Sequence, residues 1–235
     1  MVVLGVDTAT PDAVVGVSAD GEPVREAQVP PGEDGRPNHA RVLLPEIDRS
    51  VKAAGGWERI DRIAVGIGPG SFTGLRIGIS TARALAQARE VPIAPVTSLA
   101  ALARGIARHQ RARGKLALPA IDARRSEVFA ALYESGTEIW DPFVAPPEQL
   151  ADRLGELDQP ALAAGDGALR FAAELEAAGA TVAPPEDPIH HLVARDVCEA
   201  GEAAAEAPPD QIQPLYLRPP DAKKWLERDR SGSGG

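Results

Sequence analysis

Cysteine is nearly absent: Cys198 is the only one in 235 residues. A disulfide within the chain and a cysteine metal cluster are therefore excluded. Aromatic residues make up 4% of the chain, so a core has to be built from Ala, Val, Leu and Ile. No apolar run approaches the ~20 residues that a membrane-spanning helix needs. The apolar start Val2-Val3-Leu4 is short, lacks a basic flank and leads straight into Asp7. No secretory leader or membrane association is expected, and a reducing cytoplasm is the expected compartment. Basic residues are outnumbered: 25 Lys and Arg face 34 Asp and Glu, a net charge of −9. A freestanding nucleic-acid binder usually carries a basic face. That class is disfavoured, while work on nucleic acid beside a basic partner stays open.

What is present is an ordinary globular composition, 44% hydrophobic and 25% charged, enough for one large domain or two small ones. The chain is organised around Ile63 to Arg89, a short buried strand that turns through Gly68-Pro69-Gly70-Ser71 into a helix. Ser71 or Thr73 is its capping candidate. Gly74, Gly78 and Ala82 recur every four residues and share one face. An interior glycine costs about 1 kcal/mol relative to alanine in a helix. Two on one stripe imply close approach of another backbone, from this chain or a partner.

Strands are expected at 2–6, 13–18, 24–29, 91–96, 116–121, 127–133 and 161–164, beside the one at 63–67. Helices are expected at 38–54, 71–89, 99–113, 148–156, 169–178 and 189–207. Leu43, Ile47 and Val51 form the apolar stripe of the first helix, with Leu44 beside it and Pro45 inside it. Two strand–turn–strand units, one bending at Asp7 and one at Asp122, point to two related halves of a mixed α/β protein with helices packed on sheets. The lobes are expected at 1–101 plus 211–230 and at 102–210. A terminal helical turn is expected at 223–230 and a flexible tail at 231–235.

Chemistry is thin. The turn from Gly68 to Arg76 has the architecture of an anion site. It lacks the Gly-Lys-Ser/Thr ending of a phosphate loop, since Leu75 and Arg76 follow Gly74. Arg76 presents a fork of donors suited to a phosphate or a partner's carboxylate, and the turn reads as a structural turn with a partner contact. There is no Gly-x-Ser-x-Gly elbow and no zinc spacing among His39, His109, His190 and His191. Asp7 with Thr8, Asp122, and Asp166 between Gly165 and Gly167 are candidates for a nucleotide or metal cleft where the halves face each other. Each alone also reads as a turn residue. No catalytic set, metal site or cofactor follows from these residues.

The run Gly66-Ile-Gly-Pro-Gly-Ser-Phe-Thr-Gly-Leu-Arg-Ile-Gly78, followed by Ala82-Arg-Ala-Leu-Ala86, resembles the signature of the TsaB (YeaZ) family. Leu4-Gly-Val-Asp-Thr-Ala-Thr10, His39-Ala-Arg-Val-Leu-Leu-Pro45, Pro95-Val-Thr-Ser-Leu-Ala-Ala-Leu102, Asp122-Ala-Arg-Arg-Ser-Glu-Val-Phe129 and Pro214-Leu-Tyr-Leu-Arg218 also match it. Residues 134–207 match only in outline. The resemblance implies the two-lobed fold of actin, sugar kinases and Hsp70-type chaperones. It implies a noncatalytic partner of TsaD, the paralogue that transfers threonylcarbamoyl to the tRNA adenosine next to the anticodon. A TsaE-like ATPase would complete the complex, tRNA would be met only through it, and the isolated chain would be a homodimer. The two helices at 38–54 and 71–89 would form the contact, through His39, Leu43, Ile47, Gly74, Leu75, Arg76, Gly78 and Ala82. Gly78→Arg would then break binding and leave the fold intact. The paralogue carries a His-x-x-x-His metal pair after the strand that follows the organising helix; aligned on Val96, the positions here are Ser98 and Leu102. An independent enzyme of the same fold, a glycoprotease-like metallopeptidase or an ATP-dependent kinase-like protein, is the alternative.

Overall fold

The computed structural model describes residues 1–218. The helical turn expected at 223–230 and the tail at 231–235 lie outside the described residues. The chain begins with a meander of β1 (Val2–Asp7), β2 (Ala13–Ala19) and β3 (Glu22–Val29). Then come α1 (His39–Ala53), β4 (Arg62–Gly66), α2 (Phe72–Arg89), β5 (Ile93–Val96) and α3 (Ser98–Arg108). The second half repeats this order. Its meander is β6 (Leu116–Arg124), β7 (Glu127–Glu134) and β8 (Thr137–Ala145). It continues through α4 (Pro147–Gly155), β9 (Ala161–Ala164), α5 (Asp166–Arg170), α6 (Ala172–Ala177), β10 (Thr181–Val182) and α7 (Ala194–Ala203). No helix among the described residues is long and apolar enough to cross a membrane.

Each half builds a five-stranded mixed sheet, in the orders β3-β2-β1-β4-β5 and β10-β9-β6-β7-β8. The meanders pair antiparallel, as tight turns allow, and the parallel pairs β1–β4 and β6–β9 are joined through helical crossovers. The echo between the Asp7 and Asp122 turns is therefore a repeat of topology.

Five layers result. Leu43, Ile47 and Val51 of α1 and Leu75, Ile79 and Ala82 of α2 pack on one face of the first sheet with Leu4, Val6, Val15 and Val65. The alternate residues Val3, Val14 and Ala64 face the other way, onto α3 and α7, as the two-residue strand period requires. The same cluster runs on into Ala117, Ile121, Phe129 and Leu162 of the second sheet. Leu118, Val128 and Leu132 form the far face of that sheet with Leu150, Phe171 and Leu175 of α4–α6.

The last helix of each half packs across the boundary. α3 contacts β6, β7 and β9, while α7 contacts all five strands of the first sheet. The boundary expected at 101 cuts α3, and the span 102–210 contains α7, whose packing is with the first sheet. Glycines permit this approach. A Cβ at Gly16 would lie 2.5 Å from the Ala194 Cβ, and one at Gly201 would lie 2.2 Å from the Ala64 Cβ. The final helix is shorter than the expected 189–207, because a 3-10 turn occupies Pro188–His190 and α7 ends at Ala203. Beyond it, Ile212 is buried in the first core, and the Leu215 N–H donates to the Ile67 carbonyl at 2.8 Å.

Candidate functional site

The capping hydroxyl of Ser71 accepts from the Gly74 N–H and starts α2 against the β1–β2 turn. A Cβ at Gly74 would lie 2.0 Å from the Thr8 carbonyl oxygen, and one at Gly78 would lie 2.2 Å from Thr8 Oγ1. Thr8 Oγ1 donates to the Gly74 carbonyl at 2.8 Å. The close approach that these glycines permit is thus intramolecular. Gly74, Leu75, Gly78 and Ala82 are buried, as are His39, Leu43 and Ile47 on α1. His39 Nε2 lies 3.1 Å from the Pro11 carbonyl oxygen. Seven of the eight residues expected at a partner contact are interior in the folded chain, and that expectation is corrected for them. Gly78→Arg would clash with Thr8 inside the protein, so it tests folding and not binding.

Arg76 alone of that set is exposed. It touches Phe72 and Tyr216, which sequence reasoning left out. Leu44 is 55% exposed and Phe72 is 51% exposed, on the outer faces of α1 and α2. Phe72 stacks on Tyr216 with centroids 5.4 Å apart, and the Arg76 guanidinium lies 3.9 Å from the Phe72 centroid. Large apolar residues off the buried stripe were the available signal; on a surface it is their joining into a contiguous patch, as Phe72 does with Tyr216, that marks a contact.

A cleft of about 580 Å³ lies between the halves, lined by the β1–β2 turn, the turn into α2 from Gly70 to Phe72, the β6–β7 turn, Asp166 and residues 215–218. Asp122 and Asp166 reach it. The Asp122 carboxylate is held by Arg170 Nη1, 2.9 Å from each oxygen, and by Arg124 Nη1 at 3.1 Å. Asp166 Oδ1 accepts from the Asp122 N–H at 2.9 Å. Burial raises the Asp166 carboxyl above its ordinary value, and the Asp122 charge adds in the same direction.

The other expected nucleotide residues have different roles. Asp7 and Thr8 are buried and do not line the cleft. The Asp7 oxygens accept from the Ala9 N–H and the Ser98 hydroxyl, each at 2.7 Å. Asp7 therefore ties β1 to the start of α3. Gly165 and Gly167 serve packing on β6: a Cβ would lie 2.1 Å from the Ala120 oxygen at the first and 2.7 Å from the Ile121 carbonyl carbon at the second. Gly165 also lines an adjoining cavity of about 200 Å³ with Asp166 and His190. Ser98 and Leu102 are buried too. Among the described residues, no group of three or more His, Cys, Asp or Glu could hold a metal ion.

The family model for TsaD, tRNA N6-adenosine threonylcarbamoyltransferase, matches residues 29–208. The chain is 35% identical over 173 residues to the tRNA threonylcarbamoyladenosine biosynthesis protein TsaB of Escherichia coli K12, covering 71% of this chain and 72% of that one. It is 32% identical over 202 residues to TsaB of Bacillus subtilis 168, covering 82% and 86%. Among solved structures, YeaZ from Pseudomonas aeruginosa matches with a TM-score of 0.74 at 28% identity over 92% of this chain and 99% of that one. The ROK hexokinase of Thermus thermophilus matches with a TM-score of 0.54 at 14% identity, over 86% and 99%, which is a likeness of fold alone. Sequence, fold and the signature from Gly66 to Gly78 agree: the chain belongs to the TsaB (YeaZ) family, in which the Escherichia coli and Bacillus subtilis members are tRNA threonylcarbamoyladenosine biosynthesis proteins.

Proposed function

We propose that this protein is a noncatalytic partner subunit in the formation of threonylcarbamoyladenosine in tRNA. It binds a TsaD-like catalytic chain through the outer faces of α1 and α2. The observation that carries this reading is the exposure of Leu44 and Phe72 on helices whose opposite faces are already filled by core. Aromatic and arginine anchors such as Phe72 and Arg76 suit a partner contact. The same face accounts for a homodimer of the isolated chain. A TsaE-like ATPase completes the assembly in the cytoplasm. With a net charge of −9, tRNA is met through the partner's surface.

The test is a reconstitution of purified TsaD, TsaE, the threonylcarbamoyl-adenylate synthase, ATP, threonine, bicarbonate and tRNA, with and without this chain. Modified adenosine is expected only when the chain is present. Leu44→Arg and Phe72→Asp, both at exposed positions, are expected to weaken TsaD binding at least tenfold and leave the melting temperature in place. Product formation indifferent to this chain would overturn the reading.

The 580 Å³ cleft favours one rival, an ATP-dependent enzyme in its own right. Tight ATP–Mg binding by the isolated chain, lost on Asp166→Ala, would establish that rival. A metallopeptidase has less support, because Ser98 and Leu102 stand where the paralogue carries its metal pair.

A further inference from the structure

The two sheets are tied together at separated points. At one, Arg108 near the C-terminus of α3 pairs with Asp196 and, at 2.7 Å, with Glu199, both on α7. Asp196 is 1% exposed, so this pair forms inside the helix–helix contact. Gly105, one turn earlier on α3, makes room: a Cβ there would lie 2.6 Å from Asp196 Oδ2. Arg195 pairs with Glu199 at 2.7 Å, and the Arg195 N–H donates to Glu26 of β3 at 2.8 Å, so α7 is fixed to the first sheet as well.

At the cleft, Arg218 donates to the Ala123 carbonyl at 3.1 Å and pairs with Glu127, both in the second half. Three residues earlier, Leu215 is bonded to Ile67 of the first half. Ser98, which bonds Asp7 at the cleft end of α3, precedes Arg108 by about 15 Å of helical rise. Between the ties, the cluster containing Val3, Leu99, Leu102, Val197 and Phe129 is continuous from one sheet to the other. Rotation of one half about either tie would strain the other tie and open that cluster.

We propose that Arg108 is a positioning residue which, with the Arg218 tie, locks the angle between the halves, so that the cleft keeps one width and does not close on ligands. The structure then offers partners a rigid body, since packed interiors resist continuous deformation.

Spin labels on the outermost layers of the full chain read this directly. Gln87→Cys on α2 and Glu176→Cys on α6 are exposed label sites. Cys198 is buried and burial pushes its thiol up to about 12, so it stays unlabelled. Electron–electron distance measurements are expected to give one narrow distribution, unchanged by saturating ATP–Mg. Arg108→Ala is expected to broaden it about twofold with secondary structure retained, Arg108→Lys to broaden it less, and Arg218→Ala to add a smaller broadening. Arg108→Ala leaves Asp196 unpaired, so Arg108→Ala/Asp196→Asn is measured beside it; this variant removes the tie without a buried charge and is expected to broaden equally. A broad or ATP-responsive distribution in the parent would overturn the lock. So would a narrow one in the folded double variant.

Discussion

Asp7 stands at the end of β1 with one carboxylate oxygen held by the Ala9 N–H and the other by the Ser98 hydroxyl. Burial raises its carboxyl above the ordinary value, more than those bonds and the nearby His39 lower it. The native state therefore keeps a proton at pH values where the unfolded chain, titrating near ~3.9, has already lost it. Stability from this group is largest at low pH and falls as pH rises from about 4 through the raised native value, where it levels. An asparagine can accept from Ala9 and donate to Ser98 in the same place without a charge. In urea titrations from pH 4.5 to 7.5, Asp7→Asn is expected to gain on the wild type as pH rises. Parallel midpoints across that range would show that Asp7 does not titrate as its burial implies.

Elements in this chain are finished by residues far away in sequence. The last carbonyls of α7 lack intrahelical partners, as at any helix C-terminus. Arg62 of β4 supplies them: its Nη1 donates to Gly201 at 2.8 Å and to Glu202 and Ala204 at 3.2 Å, and it pairs with Glu206. A single hydrogen bond from a charged donor contributes roughly 1.5–3 kcal/mol, and one Nη1 shared among three carbonyls counts as about one such bond. Arg62→Ala is expected to lower unfolding free energy by about that amount and to speed amide exchange at 201–206. Unchanged exchange there would mean the cap is idle. Two helix N-termini, in contrast, were legible locally. Ser71 and Thr97 each accept from the N–H three residues on, as their types and positions predict. Asn38 reads as the same kind of cap, yet α1 begins without a side-chain bond from it.

At the scale of the molecule, α3 and α7 are exchanged between sheets, so neither half contains its own middle layer. A chain of residues 1–115 would leave Val3, Val14, Ala64 and Val96 facing water where α7 should lie. It is expected to lack near-UV circular dichroism, to bind a hydrophobic dye and to unfold without cooperativity. A dispersed amide spectrum and a sharp transition from that fragment would show that the first half is a domain by itself.

The sequence alone determined the order and type of most elements, the pairing of two similar halves and the family, because these follow from local periodicity, caps, turn residues and one long contiguous motif. It could not determine which way the glycine stripe of α2 faces. Gly74 meets Thr8 from 66 positions away, and a stripe of small residues looks the same whether it admits this chain or another. It could not tell that Asp122 is held by Arg170, that Asp7 is buried, or that Arg108 finds Asp196 across 88 positions. Contacts of that span are set by how the layers stack. That stacking is decided by burial of whole faces at once, and so only the tertiary structure assigned the interior, the cleft and the exposed faces of α1 and α2.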